Sequence, residues 1–98
     1  MGWATQYIEA LEAGKTVSFR PHGNSMTGKI SSGQLCTVSP RDRLPVKGDI
    51  VLCKVNGKQF LHLVSAVQGE RVQISNNHGF VNGWTPLKNV FGLLVSVE

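Results

Sequence analysis

Gly48-Asp-Ile-Val-Leu-Cys-Lys-Val-Asn-Gly-Lys-Gln-Phe-Leu-His-Leu-Val-Ser-Ala-Val67 holds two apolar runs joined by Asn56-Gly57. Val, Ile, Leu and Phe dominate both runs, and such side chains fit a pleated, half-buried surface. Asn-Gly tolerates two successive positive φ angles, which a two-residue type I′ turn demands. The segment therefore predicts an antiparallel hairpin, Asp49 to Val55 and Gln59 to Val67. Alternation along the second strand puts Phe60, His62, Val64 and Ala66 on one face. A histidine on an apolar strand face is most often a satisfied core residue. The same setting also suits a general base, because it is desolvated, rigidly held and neutral near pH 7.

Short elements flank the hairpin on both sides. Thr16 to Arg20 is strand-like and stops at Pro21, and residues 22–33 are rich in Gly, Ser and Asn. Leu35 to Val38 is a second short strand, closed by Ser39-Pro40, and residues 40–48 form a polar loop with Pro45 and Gly48. After a turn at Gln68-Gly69, Arg71 to Ser75 is a strand. Residues 76–89 read as one long loop, in which Trp84 is expected to anchor the loop to the core. Val90 to Val97, which contains Gly92, is the last strand. At the other end, Trp3, Tyr7, Ala10 and Leu11 recur as a helical stripe within residues 3–13. Gly14 stands where a helix C-terminus accepts a left-handed residue, and Lys15 suits the negative end of the dipole. The expectation is one helix and about six strands, with no βαβ alternation and no nucleotide-loop spacing. That is a mostly β domain of antiparallel hairpins, a folded half-barrel or small sandwich. Residues 1–98 are expected to form one domain, with the helix (1–14) packed on a β core (16–97).

Composition narrows the function classes. A chain of 98 residues with 41% hydrophobic and 16% charged residues can bury a core as a single domain. Ten Lys and Arg against six Asp and Glu give a net charge of +4, but the basic residues are scattered. Their densest group, Arg41, Arg43 and Lys47, is interrupted by Asp42, so a nucleic-acid partner is not expected. Cys36 and Cys53 lie in separate apolar runs and read as buried free thiols rather than a disulfide or a zinc site. No stretch reaches the roughly 20 apolar residues of a membrane span. Glu9 and Glu12, with no basic region, argue against a secretory signal. No membrane anchor, metal or cofactor is expected, and the expected location is cytoplasmic. A dimer is left open.

Pro21-His-Gly-Asn-Ser-Met-Thr-Gly28 is the unusual loop. It follows a strand directly and could present the Ser25 hydroxyl at a sharp bend, although a serine in such a loop is commonly a turn residue. Together with Gly33-Gln-Leu-Cys-Thr-Val38, Gly48-Asp-Ile-Val51, Gln59 to Val64, Ile74-Ser-Asn-Asn77 and Val90 to Val95, it forms an ordered set. In that order and spacing the chain resembles the LexA-like serine peptidases and the signal peptidases that share their β-clip fold. The resemblance implies that Ser25, in Gly23-Asn24-Ser25-Met26, is a nucleophile. It implies a base at His62, where most of the family has lysine and the endoplasmic-reticulum and archaeal signal peptidases have histidine. A lysine would have to lose more than three pKa units for this task, whereas histidine starts near 6.5. The backbone N–H of Ser25 and that of Asn24 would hold the oxyanion, with Gly23 and Met26 beside them at the substrate. Met26 would pack beside the cleft.

Two departures bear on mechanism. Gln34 replaces the aspartate of the first G-D-x-V strand. The loop after Ser75 has asparagines where the histidine-type enzymes carry aspartates, so Asn77 or Asn82 is the candidate orienter of His62. His22 reads as a surface turn residue. An Ala13-Gly14 bond is present but stands too close to Ser25 in the chain to fold back to it, so a peptidase would act in trans on a protein or peptide. The competing expectation is a non-catalytic peptide- or protein-binding module of the same fold.

Overall fold

The computed structural model describes residues 2–98. Its elements are α1 (Thr5–Glu12), β1 (Val17–Phe19), β2 (Cys36–Pro40), β3 (Ile50–Val55), β4 (Lys58–Gln68), β5 (Arg71–Ser75), β6 (Val81–Pro86) and β7 (Val90–Val97). A 3-10 turn, Leu87–Asn89, joins the last two strands. All seven strands lie in one sheet, in the order β1-β2-β7-β3-β4-β5-β6, and every pairing is antiparallel. The fold is mostly β with one short helix, as the sequence predicts.

The β3–β4 hairpin turns at Asn56 (φ 50°) and Gly57 (φ 81°), the two positive angles of a type I′ turn. β3 is buried on both faces. Leu52 joins a core of Ala4, Ile8, Leu11, Phe19, Met26, Ile30, Cys36, Val38 and Leu61 under α1. Val51, Cys53 and Val55 join the other core, with Val64, Val72, Ile74, Val90 and Leu93. The sheet rolls around this second core until β6 meets β3. The Thr85 hydroxyl donates to the Lys54 carbonyl at 2.7 Å, and Gly83 packs against Val55. The result is a half-barrel. Both cysteines are buried free thiols, and burial pushes the Cys53 thiol up to about 12.

Three expectations change. Residues 76–89 are not one loop, because they contain β6 and the 3-10 turn, and the strand count is seven. β6 is an edge strand, open on one side, and Gly83 and Pro86 blunt its β signal. Trp84 does not anchor into the core. It faces outward at 36% exposure, with the Arg71 guanidinium 5.4 Å from its ring. The buried residues of α1 are Ile8 and Leu11, with Ala4 buried at its N-cap, whereas Trp3 is half exposed. Trp3 belongs instead to an aromatic group with Tyr7 and Phe19, at centroid distances of 6.4 and 5.7 Å.

Candidate active site

Ser25 lies in the long connection between β1 and β2. Gly23 adopts φ 128°, a value an L side chain rarely takes, and so swings the chain sharply just before Asn24 and Ser25. Met26 and Ile30 then drop into the core (5% and 4% exposed) at the two ends of a helical turn closed by the Ile30 N–H on the Met26 carbonyl, 2.8 Å. With Met26 as the anchor, Ser25 is left exposed beside it. The loop is cross-braced by Arg20 Nη1 on the Gly33 carbonyl (2.9 Å), Gly33 N–H on the Pro21 carbonyl (2.8 Å) and Gly23 N–H on Ser32 Oγ (3.1 Å).

His62 comes from β4, opposite Val51 of β3, and is 7% exposed. Its ring stacks on Phe60 at 4.8 Å. Nε2 lies 3.0 Å from Ser25 Oγ, and Nδ1 lies 2.8 Å from Asn82 Oδ1. An amide oxygen only accepts, so Nδ1 carries the proton, Nε2 is the acceptor and the Ser25 hydroxyl donates to it. Burial pushes the imidazole below its ordinary 6.5, and the bond to Asn82 opposes this in part. No carboxylate contributes to the balance.

Of the two asparagines expected near the ring, Asn82 is the one in contact. The β5–β6 register runs from Ile74↔Gly83 to Ser75↔Val81, which leaves Asn82 as an extra, unpaired residue. Such bulges re-aim a side chain, and here the side chain is turned onto His62. Asn77 binds the serine loop instead. Its N–H donates to the Ser25 carbonyl and its Nδ2 to the Thr27 carbonyl, both at 2.8 Å. His78 also reaches that loop, with Nε2 donating to the Asn24 carbonyl at 2.7 Å. Gly23 N–H is spent on Ser32. Among the described residues no protein group accepts the N–H of Asn24, Ser25 or Met26.

A cleft of about 540 Å³ opens over Ser25 and His62. Trp3, Pro21, Met26, Ile30, Phe60 and Leu61 supply its apolar lining, while Arg20 and His22 stand among the polar groups. One wall is a strand edge. β4 pairs with β3 from Lys58 onward, but β5 joins its other side only from Leu63. Between these points Gln59 and Leu61 turn their peptide groups away from β3. The Gln59 carbonyl accepts the Trp3 indole N–H at 3.2 Å, and its side chain takes the Ala4 N–H (2.7 Å) and donates to Thr5 Oγ1 (2.9 Å). Helical periodicity placed Trp3 on the packing stripe of the helix and did not reveal this use of Trp3 and Gln59.

Away from the cleft, Asp49 accepts both guanidinium nitrogens of Arg43 (2.8 and 3.0 Å) and the Val46 N–H (2.8 Å). These bonds hold its carboxyl below the usual range and fix the loop before β3. No described helix is long and apolar enough to cross a membrane. Among the described residues no three His, Cys, Asp or Glu side chains are grouped to hold a metal ion.

Residues 3–82 match the family model described as Peptidase S24-like. The matched span includes Ser25, His62 and Asn82. No curated protein matches the chain.

Proposed function

The chain belongs to the Peptidase S24-like family, and we propose on that premise that it hydrolyses a peptide bond, with Ser25 as nucleophile and His62 as base. The observation that carries this reading is the unbroken hydrogen-bond chain Ser25 Oγ–His62 Nε2, His62 Nδ1–Asn82 Oδ1, at 3.0 and 2.8 Å. These distances fall in the range over which a positioned base takes a proton.

As Ser25 Oγ bonds the carbonyl carbon, its proton passes to Nε2, and the carbonyl π electrons move onto oxygen. The Ser25 N–H supports that oxyanion from the cleft side of the loop. Collapse breaks the C–N bond, and the imidazolium returns its proton to the leaving nitrogen. Water then attacks the acyl ester with the same base, which releases the acid and restores the hydroxyl. Asn82 keeps the ring in the required tautomer throughout. Being neutral, it stabilises the imidazolium less than a carboxylate would.

The substrate is an extended segment of another chain, laid between the open edge of β4 and the Arg20–Gly23 strand exit, with apolar side chains toward Met26, Ile30 and Phe60. Ala13-Gly14 is not a candidate. That bond sits in the C-terminal cap of α1, with the Ala13 and Gly14 N–H groups bonded to Glu9, Ala10 and Leu11, and it does not line the cleft.

The test is labelling by a fluorophosphonate probe with mapping of the adduct. Ser25 is labelled in the wild type, not in Ser25→Ala, and at a rate lowered by about a hundredfold or more in His62→Ala. An unlabelled wild type sinks the hydrolase reading and leaves the peptide-binding module.

A further inference from the structure

The β5–β6 connection holds the serine loop by its carbonyls. Asn24 O accepts His78 Nε2 (2.7 Å), Ser25 O accepts the Asn77 N–H (2.8 Å) and Thr27 O accepts Asn77 Nδ2 (2.8 Å). From within the loop, Thr27 Oγ1 (2.8 Å) and Thr27 N–H (3.3 Å) also reach Asn24 O. The connection is itself stiff. Asn76 Oδ1 accepts the N–H groups of His78 (2.8 Å) and Phe80 (2.9 Å), and the Asn76 N–H returns to Phe80 O at 2.9 Å. Gly28 makes the approach possible. It takes φ 99°, and a Cβ there would stand 3.0 Å from Asn77 Nδ2.

A trans peptide points its N–H opposite its C=O. The Asn24–Ser25 peptide is held by its oxygen on the His78 side, so the Ser25 N–H points the other way. The Ser25–Met26 peptide is held by Asn77, so the Met26 N–H is aimed in the same manner. Ser25 and Met26 line the cleft, whereas Asn77 and His78 do not. Neither N–H has a protein acceptor. A hydrogen bond on the carbonyl also polarises the same amide and strengthens its donor.

We propose that the Asn77–His78 segment is a positioning clamp that aims the Ser25 N–H into the cleft as an oxyanion donor. The proposal rests on the hydrolase reading of Ser25.

The experiment compares His78→Ala and His78→Gln with the wild type, by fluorophosphonate labelling kinetics and by the Ser25 amide signal in ¹H–¹⁵N spectra. Removing one oxyanion donor outright costs roughly 100- to 1,000-fold, so loosening one that Thr27 still partly holds lowers the maximal labelling rate by about tenfold. The half-saturating probe concentration and the pH midpoint set by His62 stay where they are. The Ser25 amide signal moves in the Ala variant. Glutamine, whose carboxamide can donate to the same oxygen, restores both readouts. A change confined to half-saturation, no rescue by glutamine, or an Ala variant with wild-type rate and an unmoved Ser25 amide overturns the clamp. If the wild type is not labelled, the hydrolase reading fails alone and the amide signal decides. Displacement in His78→Ala with return in His78→Gln supports the clamp, and no displacement overturns it.

Discussion

Asn82→Asp places a carboxylate where an amide oxygen now stands 2.8 Å from His62 Nδ1. Burial holds the imidazole below its ordinary range, with only the neutral Asn82 bond opposing it. With the charge centres about 4 Å apart and an effective dielectric near 20, a carboxylate and an imidazolium attract by ~4 kcal/mol, or about three pKa units. Desolvating the new carboxylate takes back part of this, so His62 rises by about 1–3 units. The base must be neutral to accept the Ser25 proton, so the acid limb of the rate profile moves up in pH by the same amount. Above that limb the maximal rate rises, because the imidazolium formed during attack is now paired with a charge. The assay is the Ser25 phosphonylation rate across the acid and neutral range, with the His62 ring titrated in parallel by NMR. Asn82→Leu is the control: it removes the bond that raises His62, so the limb moves down and the rate drops as the ring loses its tautomer lock. An acid limb that stays in place in Asn82→Asp, or moves down, refutes the reasoning that Asn82 acts on the base.

Three further outcomes concern stability. His62 has a folded pKa below the 6.5 of an ordinary imidazole, so the unfolded chain binds more protons in the interval between the two values. Stability is therefore full above that interval, declines as pH falls through it and levels off below. His62→Gln removes this decline, and urea midpoints that follow the same pH course in both proteins refute it. Gly92→Ala on β7 would bring a Cβ to 2.6 Å from Val38 Cγ1 and 2.7 Å from the Ser39 carbonyl oxygen. Overpacking of that kind costs about 1–3 kcal/mol and lowers Tm by roughly 4–8 °C per kcal/mol, so an unchanged calorimetric Tm refutes the tight β2–β7 approach. Ile74→Ala empties the centre of the second core, where Ile74 is fully buried, at a cost of about 2–5 kcal/mol. A loss below 1 kcal/mol in chemical denaturation (about the cost of trimming one methylene) would show that the half-barrel is not packed around that residue.

The hairpin of β3 and β4 was legible because Asn56-Gly57 and the flanking β-branched runs agree. Backbone preference and burial pattern there point the same way. β6 was not legible, because an edge strand with Gly83 and Pro86 buries too little to impose alternation. Ser25 and His62 stood out through the ordered family resemblance, since locally they read as a turn serine and a core histidine, and the choice between Asn77 and Asn82 could not be made. It depends on one unpaired residue in the β5–β6 register, and nothing in the local composition marks a bulge. Trp3 misled for a related reason. Helical spacing puts Trp3 on the packing stripe, but it does not show that this residue covers a strand from the side.

That covering has a consequence for how the molecule behaves in a crowd of its own copies. A strand with unspent peptide groups along one side is a template on which further strands can stack without limit. In β4 the exposed run is brief, begins at the charged, exposed Lys58, and has the Gln59 carbonyl occupied by the Trp3 indole. The edge beside Ser25 and His62 is thus short and too well guarded to start a fibril.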